Sequence, residues 1–461
     1  MRKLSLTALA ALGALGACAS GSGYEAPTVA IAPAHSVTQS AQLRPATTTN
    51  PFWREIGDST LSHLVTEALR SNTDLHVAEA HVDASRASHR LAAYDYVPTV
   101  SANGTAMRSK QSVAQAYGVA GSLPQVNLYD MGVDASLELD VFGRIRRNVA
   151  AQGALVSASQ HSLDEVRIDL AAEVARAYFE LRGAQQQLAV ALRNADVQRR
   201  TLAITEDRLA AGRGAGFDVA RARSVLQLTL ASVPELRSQI SAHLYRIATL
   251  LGRTPDAVPT ELTASAAMPV LPESVSVASP RQLIRNRPDV LAAERQVAAQ
   301  SLFVSAAQSE YLPHFALGAS LGYTSTQVES WTRNGNSRLL FGPTVSLPLL
   351  DIGRVRERVG VAQAAQQSAQ AQYTATVLRA LEETEVSIVA YDRAHERVSL
   401  LTSAVSSSST ALDLAQQRFE AGLTDFLQVL DAENQLTVAR TSAGTALVSL
   451  YKSVGGSWST P

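Results

Sequence analysis

Tyr129-Asp-Met-Gly-Val-Asp-Ala-Ser-Leu-Glu-Leu-Asp-Val141 is the stretch on which the fold turns. Tyr129, Met131, Val133, Ala135, Leu137, Leu139 and Val141 are apolar or small, and between them stand Asp130, Gly132, Asp134, Ser136, Glu138 and Asp140. Period two over such a length predicts a strand with one face against something apolar and the other face wet. A partner run, Thr99 to Ala106, sets Thr99, Ser101, Asn103 and Thr105 against Val100, Ala102, Gly104 and Ala106. Two later runs alternate in the same way, one through Phe315, Leu317, Ala319, Leu321 and Tyr323, the other through Phe341, Val345, Leu347 and Leu349. Alternation alone also fits a soluble sandwich. The acidic polar face, the long polar loops near 109–127 and 325–338 and the export signal described below favour a transmembrane barrel, whose strands alternate over about 10 residues. Four strands cannot close a barrel, since the smallest spanning barrels use about eight and an open edge is not tolerated in lipid. Oligomerisation is therefore expected.

The strand pairs belong to an internal duplication. Asp74, Glu79, Tyr96 and Pro98 recur as Asp289, Glu294, Tyr311 and Pro313, each 215 positions later. Gly143-Arg144 matches Gly353-Arg354, and Arg208, Ala211 and Gly212 match Arg418, Ala421 and Gly422, at an offset of 210. A period so far above those of solenoid repeats means duplication of a domain-sized unit. Each half reads as a helix, two strands, a very long helix, a tight turn and a returning helix. Pro98 and Pro313 close the helices that lead into the strands, because the residue before a proline disfavours helix.

The long helices carry no proline from Arg144 to Ala211 or from Arg354 to Ala421. At 1.5 Å per residue each would reach about 100 Å if continuous. Leu163, Val166, Leu170, Val174, Ala177 and Leu181 recur at spacings of three and four, as a coiled-coil seam requires. Ala211-Gly212 and Ala421-Gly422 are helix stops, and Asp218 and Asp425 follow where an acid favours a helix start.

At the N-terminus Arg2 and Lys3 precede a short apolar run, Leu4 to Leu15, too short to span a membrane and of secretory type. It ends in Leu15-Gly16-Ala17-Cys18, which resembles a bacterial lipobox and implies lipidation of Cys18. The alternative is an ordinary signal with an incidental cysteine. Cys18 is the chain's one cysteine, so no internal disulfide is possible. Acyl chains contribute about 0.8 kcal/mol per buried CH2, enough together for stable anchoring. Ala19 is not the aspartate that resembles an inner-membrane retention signal, so the outer membrane is favoured.

Composition excludes several classes. Hydrophobic residues make up 46% of the 461 and aromatics only 5%, a composition rich in small apolar side chains that suits close helix packing. A formal net charge of −1 gives no sign of nucleic-acid binding. No stretch after the signal approaches 18 uninterrupted apolar residues, so no spanning helix is expected. The nine histidines include no i, i+4 pair suited to a helical metal site. There is no nucleophile elbow or phosphate loop, and Gly212-Arg-Gly-Ala-Gly216 follows a helix instead of a strand. No catalytic residue, metal or cofactor is expected.

Leu137-Glu-Leu-Asp-Val-Phe-Gly-Arg144 and Leu347-Pro-Leu-Leu-Asp-Ile-Gly-Arg354 resemble the strand-to-helix junctions of TolC-like outer-membrane efflux channels. So do the tips Arg208-Leu-Ala-Ala-Gly212 and Arg418-Phe-Glu-Ala-Gly422, with Val429-Leu-Asp-Ala-Glu433 beyond the second. The resemblance covers about residues 50–455 and, with the lipobox, is similar to the NodT branch, lipoprotein channels of resistance–nodulation–division pumps. It implies an α+β membrane protein with four transmembrane strands and long coiled-coil helices per protomer. Three protomers would form a 12-stranded β-barrel and a helical periplasmic tunnel. The implied division is a signal peptide (1–17), a lipidated tether (18–50), repeat one (51–252), a Pro-rich equatorial linker (253–280), repeat two (281–455) and a tail (456–461). The implied function is passive conduction of drugs or other small molecules out of the periplasm. A periplasmic adaptor (membrane fusion protein) and an inner-membrane pump are the implied partners. A type I secretion channel and a non-pore coiled-coil lipoprotein scaffold are the alternatives.

Two further site expectations follow from the resemblance. The tips, with Arg208, Gly212, Arg418 and Gly422, would dock onto the adaptor, although both arginines also suit the last carbonyls of a helix. In the matching motif a leucine and, four residues later, an aspartate constrict the periplasmic entrance, and here they fall on Leu427 and Asp431, one turn apart on one helix face. Arg221 holds the position equivalent to Asp431 in the first half, so an Arg221–Asp431 bridge could lock the gate. Pairing of Asp431 with Arg440 is the alternative.

Overall fold

In the computed structural model the alternating stretches become one antiparallel sheet. The structure describes residues 31–32, 34–35, 43–45, 52–110, 125–272, 274–277, 279–333, 335–419 and 427–455, with the backbone alone at 43–45, 52, 276, 409, 411–419 and 427–430. The sheet comprises β2 (Thr99–Ser109), β3 (Val126–Leu139), β5 (His314–Ser325) and β6 (Ser337–Ser346), in the order β2-β3-β5-β6. The register pairs Ala102 with Val133, Val133 with Leu321 and Leu321 with Leu339, so one apolar row runs across all four strands on one face. Val141, Leu347 and Leu349, expected within strands, lie past the strand ends. Val141 N–H donates to Leu139 C=O at 2.8 Å and Leu349 N–H to Leu347 C=O at 2.9 Å. These are γ-turns about Asp140 and Pro348 that take the chain out of the ladder at each junction.

The helices follow the repeat. The first half contains α1 (Phe52–Glu55), α2 (Ser59–Ser71), α3 (Thr73–Ala93), α4 (Arg144–Ala210) and α5 (Gly216–Leu250). After the short α6 (Thr260–Thr263) come α7 (Pro280–Asn286), α8 (Pro288–Ser309), α9 (Ile352–Phe419) and α10 (Leu427–Ser453). Helix α4 runs unbroken for 67 residues and α9 for 68. Two short strands, β1 (Leu43–Pro45) and β4 (Val275–Val277), pair in parallel, which brings part of the expected tether onto the expected linker.

Two compact units result, and each draws on both halves. One takes the described residues of 81–159 and 292–373, including the sheet. The other takes the described residues of 29–80, 160–291 and 374–461 and holds the main core. In that core the expected seam is buried at Leu170, Val174, Ala177 and Leu181, joined by Phe179, Ile247, Tyr391, Leu447 and Leu450. Each of the leucine, valine, isoleucine and phenylalanine side chains contributes about 1.5–3 kcal/mol by leaving water. Helices α4 and α10 approach so closely that a Cβ on Gly444 would lie 2.4 Å from the Phe179 ring. Among the described residues no helix is long and apolar enough to cross a membrane.

Candidate functional site

The sheet has two faces of opposite chemistry. Its apolar face is uncovered: Leu339 is 77% exposed, Phe341 68% and Leu321 58%. On the other face, near the loop end, the Arg338 guanidinium donates to Asp130 from Nη2 at 2.9 Å and from Nε at 3.2 Å. Arg338 Nη1 also donates to Ser320 Oγ at 2.8 Å, and Thr324 Oγ1 donates to Asp130 Oδ2 at 2.6 Å. Midway along the face, Asn103 Nδ2 donates to Asp134. At the helix end Glu138 receives Arg144 Nε and Nη2 at 3.0 and 2.7 Å, with His314 Nδ1 at 3.4 Å. Asp140 accepts from the N–H groups of Ile145 and Arg146 at 3.0 and 2.8 Å, which caps the start of α4.

The first helical tip closes as the sequence indicates. Gly212 has φ +68°, its N–H donates to Leu209 C=O at 3.0 Å, and Arg213 N–H reaches back to Arg208 C=O at 2.9 Å. That pair of bonds is a Schellman cap, whose left-handed residue glycine adopts without a Cβ clash. Arg208 is exposed at this tip. Arg223 of α5 crosses to Glu206 of α4 at 2.8 Å and braces the hairpin. Arg418 lies in the last turn of α9 with its backbone alone described, and Gly422 lies outside the described residues, as does Cys18. Leu427 opens α10, again with its backbone alone described. Asp431 is exposed and accepts from Gln435 Nε2 at 2.8 Å, one turn along its own helix. It borders a groove with Gln198, Val225, Leu228 and Asn434, and exposed Arg221 stands one turn before Val225 on α5. Among the described residues of one chain neither Arg221 nor Arg440 forms an ion pair with Asp431. Two residues beyond it, Glu433 pairs with Arg193 at 3.0 Å.

Each half of the repeat is tied within itself by an equivalent knot, the two centred on residues 215 positions apart. In the first, Asn72 Nδ2 donates to Leu250 C=O at 2.9 Å, while its Oδ1 accepts from the N–H groups of Asp74 and Leu75 at 2.8 and 3.1 Å. In the second, Arg287 is only 7% exposed and donates to Ser453 C=O at 2.9 Å. Its Nε and Nη2 grip Asp289 at 3.0 and 2.7 Å, and Nη2 also reaches Glu383 at 2.9 Å. Burial works against this cation, yet Asp289 and then Glu383 outweigh it and hold the guanidinium protonated above its ordinary value. Glu165 nearby is pushed above the usual carboxylate range, first by burial, then by Asp289 and Asp169, with Arg287 and Lys452 opposing. Lys452 Nζ pairs with Asp169 at 3.0 Å.

Compared with known proteins, residues 64–253 and 279–456 match the family described as outer membrane efflux protein. The chain belongs to that family. Outer membrane protein OprJ of Pseudomonas aeruginosa is 30% identical, over 96% of this chain and 94% of its own. Nodulation protein T of Rhizobium leguminosarum bv. trifolii is 27% identical, over 94% of this chain and 91% of its own. The solved structure of the outer-membrane channel OprN superposes with a TM-score of 0.86 at 34% identity, covering 95% of this chain and 99% of that one. The Campylobacter jejuni outer-membrane channel CmeC, 19% identical with a TM-score of 0.82, shares the fold. This is therefore an outer-membrane efflux protein with the mostly helical, small-sheet architecture of the TolC-like channels, as the junction and tip motifs lead one to expect.

Several anchoring residues of this efflux protein escaped sequence reasoning. Arg182, 2% exposed, lies 5.1 Å from the Tyr178 ring centroid and donates to Gln185 and to Ala264 C=O, both at 2.8 Å. Gln185 in turn holds Leu262 C=O at 2.8 Å, so α4 grips the linker through backbone groups that no motif announces. Asp58 caps α2 through Leu61 N–H at 2.8 Å and also accepts from Tyr178 Oη at 3.0 Å. Arg287-Pro288-Asp289 carried a usable signal, since proline at the first helical position marks a helix start beside a charged pair.

Proposed function

We propose that three copies of this chain join their four-stranded sheets into one 12-stranded barrel and their helical hairpins into a periplasmic tunnel, the outer-membrane channel of a tripartite efflux assembly. The observation that carries the reading is the sheet itself. Among the described residues it has an uncovered apolar face, a polar face rich in charge, and open edges at β2 and β6. Lipid on one side and water on the other satisfy both faces, and neighbouring copies satisfy the edges. The relatives support the efflux role: one is the solvent efflux pump outer membrane protein SrpC of Pseudomonas putida, 28% identical over 87% of this chain. On this reading Cys18 carries the lipid anchor, and drugs or other small molecules pass without being chosen by the channel. The tips around Arg208, Gly212, Arg418 and Gly422 receive a periplasmic adaptor linked to an inner-membrane resistance–nodulation–division pump.

Cell fractionation with gel migration of boiled and unboiled samples tests this reading. A heat-modifiable trimer in the outer membrane is expected, acylated in the wild type and not in Cys18→Ser. A monomer whose migration is indifferent to heating would mean a helical scaffold without a pore. The Leu427 and Asp431 rings would close the periplasmic end, with Arg221 available to bridge Asp431 between helices. Leu427→Ala with Asp431→Ala is then expected to raise single-channel conductance. Conductance unchanged from the wild type would remove both residues from the gate.

A further inference from the structure

The polar face of the sheet carries Asp130, Asp134, Glu138, His314 and Arg338 as its ionisable side chains. Read from the strands alone, that face is acidic. The contacts change the sum. Glu138 is answered by Arg144 through two hydrogen bonds and by His314. Asp130 is answered by Arg338, which reaches it from two strands away. Among the described residues Asp134 meets a neutral amide, Asn103, and no cation.

The reach of Arg338 depends on two bare positions. Gly132 and Gly322 face each other in register, and the guanidinium lies across them. A Cβ on Gly132 would stand 3.0 Å from Arg338 Nη2, and one on Gly322 3.3 Å from Nε and 2.5 Å from Met131 C=O. With side chains there, the arginine would be lifted off the sheet into the aqueous side. Two glycines thus let Arg338 lie flat and spend its charge on Asp130.

We propose that Asp134 is the residue of the barrel wall that sets the ion preference of the open channel, because among the described residues it is the one carboxylate of the polar face left without a cation. The proposal rests on the barrel reading above, under which three Asp134 carboxylates share one level of the pore. Asn103 holds each in place without neutralising it. A fixed unit charge about 10 Å from an ion in water biases its concentration by a factor of about two at low salt, and the bias fades as salt shortens the screening length.

Reversal potentials of the purified trimer in a planar bilayer, under a potassium chloride gradient at low salt, provide the test. Wild type is expected to prefer potassium. Asp134→Asn, which removes the charge from all three protomers and acts on both ions, should lower the potassium-to-chloride permeability ratio about four-fold or more. Asp130→Asn, which leaves Arg338 unanswered, should lower it too, and Arg338→Gln should raise it. The Asp130→Asn/Arg338→Gln double variant, unchanged in net charge, should return to the wild-type ratio. If Asp134→Asn yields no trimer, Asp134→Cys modified with a cationic or an anionic thiosulfonate should move the ratio in opposite directions. Conducting Asp134 variants with the wild-type ratio would overturn the assignment and leave the pore intact. A wild-type protein that conducts nothing would overturn the pore itself, and this inference with it.

Discussion

Asn72 and Arg287 stand at equivalent places in the two halves and tie the same elements together, with opposite chemistry. Both secure the start of a helix to the end of the returning one: Asn72 to Leu250 C=O, Arg287 to Ser453 C=O. Each knot also has a left-handed glycine, Gly252 at φ +69° against Ser71 and Gly455 at φ +77° against Arg287. A neutral amide is satisfied by backbone groups alone. A buried cation is not, and around Arg287 the second half has gathered Asp289 and Glu383, with Glu165 close by. Duplication thus preserved a joint while one half made it electrostatic.

The largest effect is expected on the charged side of that comparison. Arg287→Ala leaves Asp289 without its partner, and removing one member of a buried pair costs about 3–5 kcal/mol. Denaturant unfolding of the detergent-solubilised protein measures it, and a midpoint equal to the wild type would mean that the cation adds nothing to the joint. Asn72→Ala should cost less, about 1–2 kcal/mol, from a lost cap and one unpaired carbonyl. A loss as large as that of Arg287→Ala would show that position, not charge, decides the strength of each knot.

The smallest effect concerns Glu165. Its carboxyl is held above its ordinary value in the fold, so the folded state favours the protonated form. That contribution is fully present below about pH 4 and is lost as pH rises through the raised folded value. Glu165→Gln should therefore melt slightly higher than the wild type at pH 7, with the gap closing towards pH 4. A variant that is less stable at pH 7 would mean that the ionised carboxylate is used by the joint.

Local patterns in the sequence carried most of the fold. Period two located the strands, the absence of proline located α4 and α9, and Ala211-Gly212 located the first reversal, because each signal lies within the element it marks. The strand ends were misplaced by up to three residues, since the γ-turns at Asp140 and Pro348 do not interrupt the apolar rhythm of Leu139, Val141, Leu347 and Leu349. What could not be read was long-range pairing. Asp130 and Arg338 lie 208 positions apart, Arg287 and Ser453 166, and Asn72 and Leu250 178. A charge count along β3 therefore gave an acidic face where the described residues pair two carboxylates with cations and leave Asp134 with an amide. Adaptor docking at the tips and a gate at Leu427 and Asp431 rest on the resemblance alone, because nothing local in Leu427 or Asp431 distinguishes a constriction from an ordinary helix turn.

Among the described residues, strands β2 and β6 end the sheet with no further strand beside them. If closure needs three chains at once, its rate depends on how often newly exported copies meet, with a reaction order above one. Unjoined chains would carry two adhesive backbone edges during that interval. Expression level would then govern not just the amount of product but the division between closed rings and misjoined aggregates. Pro343, which places a residue without an N–H in β6, shortens the run over which a wrong neighbour could zip on.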